Sequence, residues 1–189
     1  LEKYIPAFSK IFVSKLIFEN NIGKEVIIEA ESKIKLHDLL RHTSGLTYGS
    51  FGDSFAKRRL KKSILGKRPL PKSMTSESFV NELIKYPLAF HPGKNWEYSH
   101  STDVLGRVIE LVASTSLESF LIDNIFIPLK MKDTGFFVNK KNWNRIAETF
   151  KEKEPSLINI TEKPLFFKGG HGLVSTVHDY MNFCQMLLD

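Results

Sequence analysis

The sequence predicts a chain that is mainly α with short β-strands. Two observations carry that expectation. Apolar residues recur at helical spacing in several stretches, each opened by a capping residue or closed by glycine or proline. By contrast, β-branched residues gather in one short run, Val26-Ile27-Ile28, which reads as a strand.

Residues 1–20 carry Tyr4, Ile5, Phe8, Ile11, Phe12, Leu16, Ile17 and Phe18, a docked segment of unassigned type. Lys35 to His42 reads as a short helix with Leu36, Leu39 and Leu40 inward. Ser44-Gly45 stops it, with glycine in the left-handed cap position. From Thr47 to Lys72 glycine and cations dominate, which predicts a loop-rich excursion. Thr75 or Ser76 opens a helix carrying Phe79, Val80, Leu83 and Ile84. Pro87 closes it, because the residue before proline avoids the helical region. His91-Pro92-Gly93 makes a sharp turn, since proline presets its own φ and glycine allows a positive one. Ser101 or Thr102 then caps a helix whose stripe is Val104, Leu105, Val108, Ile109 and Val112. Thr115-Ser116-Leu117-Glu118 reads as a capping box, opening a helix through Leu121 and Ile125 that Pro128 ends. Residues 130–165 are weakly periodic, a loop or short-strand region. Lys168 to Thr176 is a glycine-rich bend. Thr176 caps the closing helix, expected to bury Val177, Tyr180, Met181, Cys184, Leu187 and Leu188.

The bulk properties narrow the function classes. A length of 189 residues suits one domain or a large piece of one. With 42% hydrophobic and 12% aromatic residues the chain fills a core and is not disordered. The net charge of +6 is concentrated in Lys57-Arg58-Arg59-Leu60-Lys61-Lys62 and Lys67-Arg68. No aromatics interleave with these cations as a stacking platform needs, so a solvated loop is favoured over a nucleic-acid contact. A single cysteine, Cys184, excludes an internal disulfide and reads as a small buried hydrophobe. No apolar run reaches the roughly 20 residues of a membrane helix, and no signal-peptide pattern is present. The chain starts without methionine and ends on a running helix, so it reads as a fragment of a longer domain.

Three chemistries compete for the polar residues. His37 and His42 lie five apart and His171 and His178 seven apart, not the i, i+4 spacing of a helix-face zinc site. No cysteine cluster supplements them, so no metal and no cofactor are expected. Gly169-Gly170-His171-Gly172 lacks the fuller glycine patterns that cradle phosphate. Serine acyl transfer needs S-x-x-K, one helical turn bringing lysine against the nucleophile. Ser32…Lys35 and Ser54…Lys57 match, but 17 Ser and 21 Lys in 189 residues give such a spacing about twice by chance. Neither precedes an apolar helical stripe of the kind that buries a catalytic lysine. Tyr98, between the Pro-Gly turn and a helix, is a candidate general base or acid. A free phenol, with a pKa of about 10, is a poor base at neutral pH without a neighbouring cation or lysine. On the residues alone, a structural tyrosine is the favoured reading.

Four ordered stretches together resemble the serine β-lactamase-related hydrolases: class C β-lactamases, D-alanyl-D-alanine carboxypeptidases and serine esterases. Leu36-His37-Asp38-Leu39-Leu40-Arg41-His42-Thr43-Ser44-Gly45-Leu46 is similar to L-L-x-H-T-S-G-L. His91-Pro92-Gly93 through Tyr98-Ser99-His100, then Leu105-Gly106-Arg107-Val108-Ile109-Glu110, is similar to P-G-x-x-W-x-Y-S-N…L-L-G-x-[VI]-I-E. Pro128-Leu129-Lys130-Met131-Lys132-Asp133-Thr134-Gly135-Phe136 resembles P-L-G-M-x-x-T-x-F, and Gly170-His171-Gly172-Leu173-Val174-Ser175-Thr176 resembles G-G-x-G-L-x-S-T.

The resemblance implies the helical lobe and cleft rim of a β-lactamase/transpeptidase-like α/β sandwich, with residues 1–189 a partial domain. It implies a bacterial hydrolase of penicillin-binding-protein-like shape, periplasmic or secreted, acting on a small-molecule or peptide acyl substrate. Tyr98 falls on the family's catalytic tyrosine. His100 occupies the Y-x-N asparagine slot, where an amide would hold the substrate carbonyl; imidazole there shifts the expectation from β-lactams toward esters. Gly170 and His171 fall where the family lines the cleft wall and are expected to contact substrate, while Arg41, His42 and Ser44-Gly45 shape the site. The family's S-x-x-K helix lies upstream of a segment like Leu1–Phe8, and its K-[ST]-G or H-x-G strand downstream of Asp189. His91-Pro92-Gly93 and Lys168-Gly169-Gly170 match that last motif loosely and are rejected, the first as a turn, the second as running into a helix. The expectation is a fragment inactive alone that self-associates through apolar faces cut from their sheet. The alternative is a non-catalytic binding module keeping the cleft shape.

Overall fold

Asn20 and Asn21 decide the first feature of the fold. Both are left-handed, with φ of 51° and 63°, as a two-residue type I′ turn requires. They join β1 (Phe12–Glu19) to β2 (Ile22–Glu29) in an antiparallel hairpin, with Phe12 opposite Glu29 and Glu19 opposite Ile22. The segment of unassigned type is therefore a 3-10 turn at Pro6–Ser9 followed by strand β1, and Val26-Ile27-Ile28 lies in its partner. The computed structural model describes residues 1–50, 52–67, 69–147 and 159–189. The expected loop across residues 148–158 lies outside the described residues.

Beyond the hairpin the described residues are helical: α1 (Leu36–Leu40), α2 (Phe55–Lys62), α3 (Ser76–Leu83), α4 (Ser101–Ala113), α5 (Leu117–Leu121) and α6 (Val177–Leu188). The hairpin is the one sheet among them. Phe8, Val13, Ile34, Leu39, Leu60, Leu65, Phe79, Val80, Leu83, Leu88, Val104 and Phe166 belong to one core. Fully burying a side chain of this size contributes about 1.5–3 kcal/mol. A smaller cluster joins Leu117, Phe136 and Phe167. The longest helix, α4, serves both, with Val104 and Val108 toward the first and Ile109 toward the second.

Several expectations are corrected. Ser54 accepts the Lys57 N–H at 3.3 Å and opens α2 inside the supposed loop, with Ala56 and Leu60 buried. On α1, Leu40 is 68% exposed. Buried Asp38 faces inward instead, accepting from Lys35 N–H at 2.8 Å and Thr43 Oγ1 at 3.1 Å. The left-handed residue just past α1 is His42 (φ 56°); Gly45 is also left-handed, but three residues later. The cap of α4 is His100, whose side chain bonds no backbone N–H of the first turn, and Ser101 is instead buried among other hydroxyls. Val112, at the far end of that helix, is exposed. Ser116 caps α5 through Ser119 N–H at 3.0 Å, so the proposed Thr115/Glu118 box does not form; Glu118 instead pairs with Lys163 at 2.6 Å. Ile122–Phe126 then widens into a π turn. Thr176 does cap α6, at 3.3 Å to Asp179 N–H. However, Val177, Tyr180, Met181, Leu187 and Leu188 are exposed and Cys184 is only partly covered, since no described element packs over that face.

Candidate active site

The loop carrying Tyr98 is fixed at both ends. Gly93, with φ 82°, turns the chain and donates its N–H to Thr43 O at 2.8 Å. Glu97 N–H donates to His42 O at 3.0 Å, and α4 begins three residues after Tyr98. The Glu97 carboxylate is bridged by Lys57 Nζ at 3.0 Å and by the Thr47 hydroxyl. Thus Lys57 is committed to Glu97, and Ser54 to capping α2. Ser32 donates to Pro92 O at 3.3 Å. Neither S-x-x-K match forms a serine–lysine pair in the structure. For Ser54…Lys57 the reason is the Glu97 bridge, not the missing helix that the sequence suggested.

Tyr98 is 49% exposed, its ring 4.9 Å from His42 and 5.5 Å from Tyr48, centroid to centroid. Tyr48 lies edge-on to His100 at 4.1 Å, and Phe79 packs on the other contact of that ring at 5.1 Å. His100 itself is only 3% exposed. Its Nδ1 lies 2.9 Å from Asp103 Oδ2, and a carboxylate accepts, so the imidazole donates. The other Asp103 oxygen accepts the Gly170 N–H at 3.0 Å. Burial pushes the Asp103 pKa up, but the hydrogen bond and charge of His100, with the Gly170 N–H, outweigh it and hold the carboxyl below its ordinary value.

The glycine-rich bend is laid on α4 by close backbone approach. A Cβ at Gly169 would overlap the Thr102 carbonyl oxygen, so only glycine fits. Beside it, His171 is exposed, with Nε2 3.3 Å from Lys168 Nζ.

The structure thus joins all four predicted residues into one neighbourhood, with two in settings unlike those the resemblance implied. Tyr98 and His171 are open to solvent. His100 stands behind Tyr48 with Nδ1 given to Asp103, and the Gly170 N–H is likewise taken by Asp103. The sequence reading missed Tyr48 and the linking role of Asp103; His100-x-x-Asp103 spacing across a helix start was the available signal. It did mark His42 as a supporting residue. Among the described residues no group of three or more His, Cys, Asp or Glu side chains gathers as for a metal ion. A cavity of about 400 Å³ is lined by Lys132, Thr134, Phe137, Asn142, Arg145 and Ser175 among others, and by none of the Tyr98 group.

A helical lobe beside a short hairpin fits a β-lactamase-like fold, and comparison agrees: the Beta-lactamase family model matches residues 1–189, so the chain belongs to that family. Protein Rv1367c of Mycobacterium tuberculosis is 31% identical over 167 residues, covering 84% of this chain and 40% of that protein. Lovastatin esterase of Penicillium rubens is 30% identical over 167 residues, covering 82% and 40%. Simvastatin synthase of Aspergillus terreus superposes with a TM-score of 0.70 at 23% identity, over all of this chain and 46% of that one, a likeness of fold. The chain spans about 40% of the length of these curated relatives. No described helix is long and apolar enough to cross a membrane.

Proposed function

We propose that this chain supplies the tyrosine-bearing part of a serine hydrolase or acyltransferase that works through an acyl-enzyme. The substrate class favoured is an ester, ahead of an amide or lactam. The observation that carries the reading is the half-exposed Tyr98, held on a loop pinned by Gly93, Glu97 and the start of α4. The named relatives supply the direction: one is called a lovastatin esterase, another an acyltransferase.

In this mechanism a serine Oγ attacks the acyl carbonyl carbon, and Tyr98, acting as a phenolate sustained by the lysine that accompanies the serine, accepts the hydroxyl proton as the C–O bond forms. Tyr98 then gives that proton to the departing alkoxide as the ester bond breaks. Water, or an acceptor alcohol, repeats the sequence in reverse on the acyl-enzyme, releasing acid or a new ester. The serine and its lysine would come from sequence outside these 189 residues, because Ser54 and Ser32 are committed elsewhere. Alone, the chain is therefore inactive in this reading. His171 and Lys168 form the open wall beside Asp103 and would meet the substrate.

The test is p-nitrophenyl butyrate hydrolysis by the full-length polypeptide, followed for a burst. Substituting Tyr98→Phe should reduce turnover by about 10²–10⁴-fold, the usual range for a lost general acid–base. Full activity in that variant would remove Tyr98 from the mechanism.

A further inference from the structure

We propose that His42 is a positioning residue for Tyr98: its Nδ1, by accepting the Ser99 backbone N–H, anchors the loop that carries the phenol and so sets its orientation. This rests on the role given to Tyr98 above. His42 follows α1 in the left-handed conformation, and its ring lies between the two chain segments that meet at the site. Ser99 N–H donates to Nδ1 at 3.2 Å. A ring nitrogen that accepts carries no proton, so the imidazole is the neutral Nε2–H tautomer while this bond stands. The Ser99 hydroxyl sits against the same nitrogen at 3.3 Å.

Behind that anchor the hydroxyls of Ser99, Ser101 and Ser44 follow one another at 2.8 Å, and Ser44 also accepts the Leu46 N–H at 3.1 Å. All three serines are buried. The chain of hydroxyls ties residues 42–46 to residues 99–101 and leaves the imidazole little room to slide. On its open side the ring meets Tyr98 at 4.9 Å and an angle of 44°, and Trp96 edge-on at 6.2 Å. A phenol with half its surface in water has few contacts to hold it, and His42 and Tyr48 are its ring neighbours among the described residues.

The titratable and charged groups nearby are accounted for. Tyr98 and Tyr48 face the ring cluster, Glu97 is held by Lys57 and Thr47, and Asp38 is held by Lys35, Thr43 and His37. No carboxylate among the described residues bonds the His42 ring. Protonating it therefore gains no ion pair and ejects the Ser99 N–H, and burial lowers its pKa in the same sense.

Two substitutions in the full-length polypeptide separate the ring from the acceptor. H42F keeps an aromatic wall but has no acceptor; H42N tolerates the left-handed backbone, and its Oδ1 can take the Ser99 N–H. H42F should lower kcat for p-nitrophenyl butyrate roughly ten- to hundredfold with KM changed by less than about twofold, while H42N stays within about fivefold of wild type. Nitrogen NMR of histidine-labelled protein should show His42 as the Nε2–H tautomer. Unchanged kcat in H42F, equal losses in both variants, or an Nδ1–H tautomer would each overturn the proposal. If H42F fails to fold, H42N and the tautomer decide. Full activity in Y98F would sink the catalytic reading itself, whereas an inactive Y98F beside a fully active H42F would sink only the role of His42.

Discussion

Asp103→Ala is the perturbation whose cost the structure defines most closely. The carboxylate is buried and accepts two N–H groups, His100 Nδ1–H at 2.9 Å and Gly170 N–H at 3.0 Å. Alanine leaves both donors facing a void that no described side chain fills. An orphaned buried donor costs about 1–3 kcal/mol, so two predict a loss of about 2–6 kcal/mol. Asp103→Asn is the control. Its Oδ1 keeps the Gly170 bond, and a tautomer switch lets His100 accept from Nδ2, so about 1–2 kcal/mol should be lost. Urea unfolding of the full-length polypeptide, followed by circular dichroism, reads both values. A loss below about 1 kcal/mol in the alanine variant, or equal losses in the two, would refute the view that these two bonds hold the bend to α4.

Stability should also depend on pH in one direction at two sites. The folded Asp103 pKa lies below its unfolded value, so its contribution is present above about pH 4 and is lost as pH falls through the folded value. His42 is lowered too, and being basic it favours folding while neutral; stability should fall as pH drops below about 6.5, and H42N should remove that part of the titration. Gly169→Ala should lower the unfolding midpoint and kcat together, because a methyl group there meets a carbonyl oxygen that cannot retreat along the helix. The 189-residue chain, if expressed alone, should sediment as oligomers through α6, and lysine at Val177 and Leu188, exposed by 80% and 81%, should return it toward monomer.

Much of this was legible in the residues, and the failures have separate physical causes. Helices α3 and α6 were found because Thr75 and Thr176 cap them through side-chain oxygens at the expected step. Helix α2 was missed because five cations in eight residues hide a stripe as narrow as Ala56 and Leu60. The hairpin was missed because the Asn20-Asn21 turn lacks the glycine that usually announces it. Burial on α6 was overestimated because periodicity shows which face is apolar, not whether anything covers it. At the site, the local motif put Tyr98 on a loop between the Pro-Gly turn and α4, where the structure has it. The contact of Asp103 with Gly170 joins residues 67 apart and has no local signature.

That span has a consequence for how the molecule is made. During synthesis the carboxylate of Asp103 emerges long before the bend that satisfies it, and loop closure over such a separation is slow compared with forming a helix. Until then the acid at the start of α4 has only the local His100 partner and lacks the Gly170 N–H. Water at that helix end is excluded only when the glycines arrive, so the junction of α4 with the bend is among the last parts of this chain to mature.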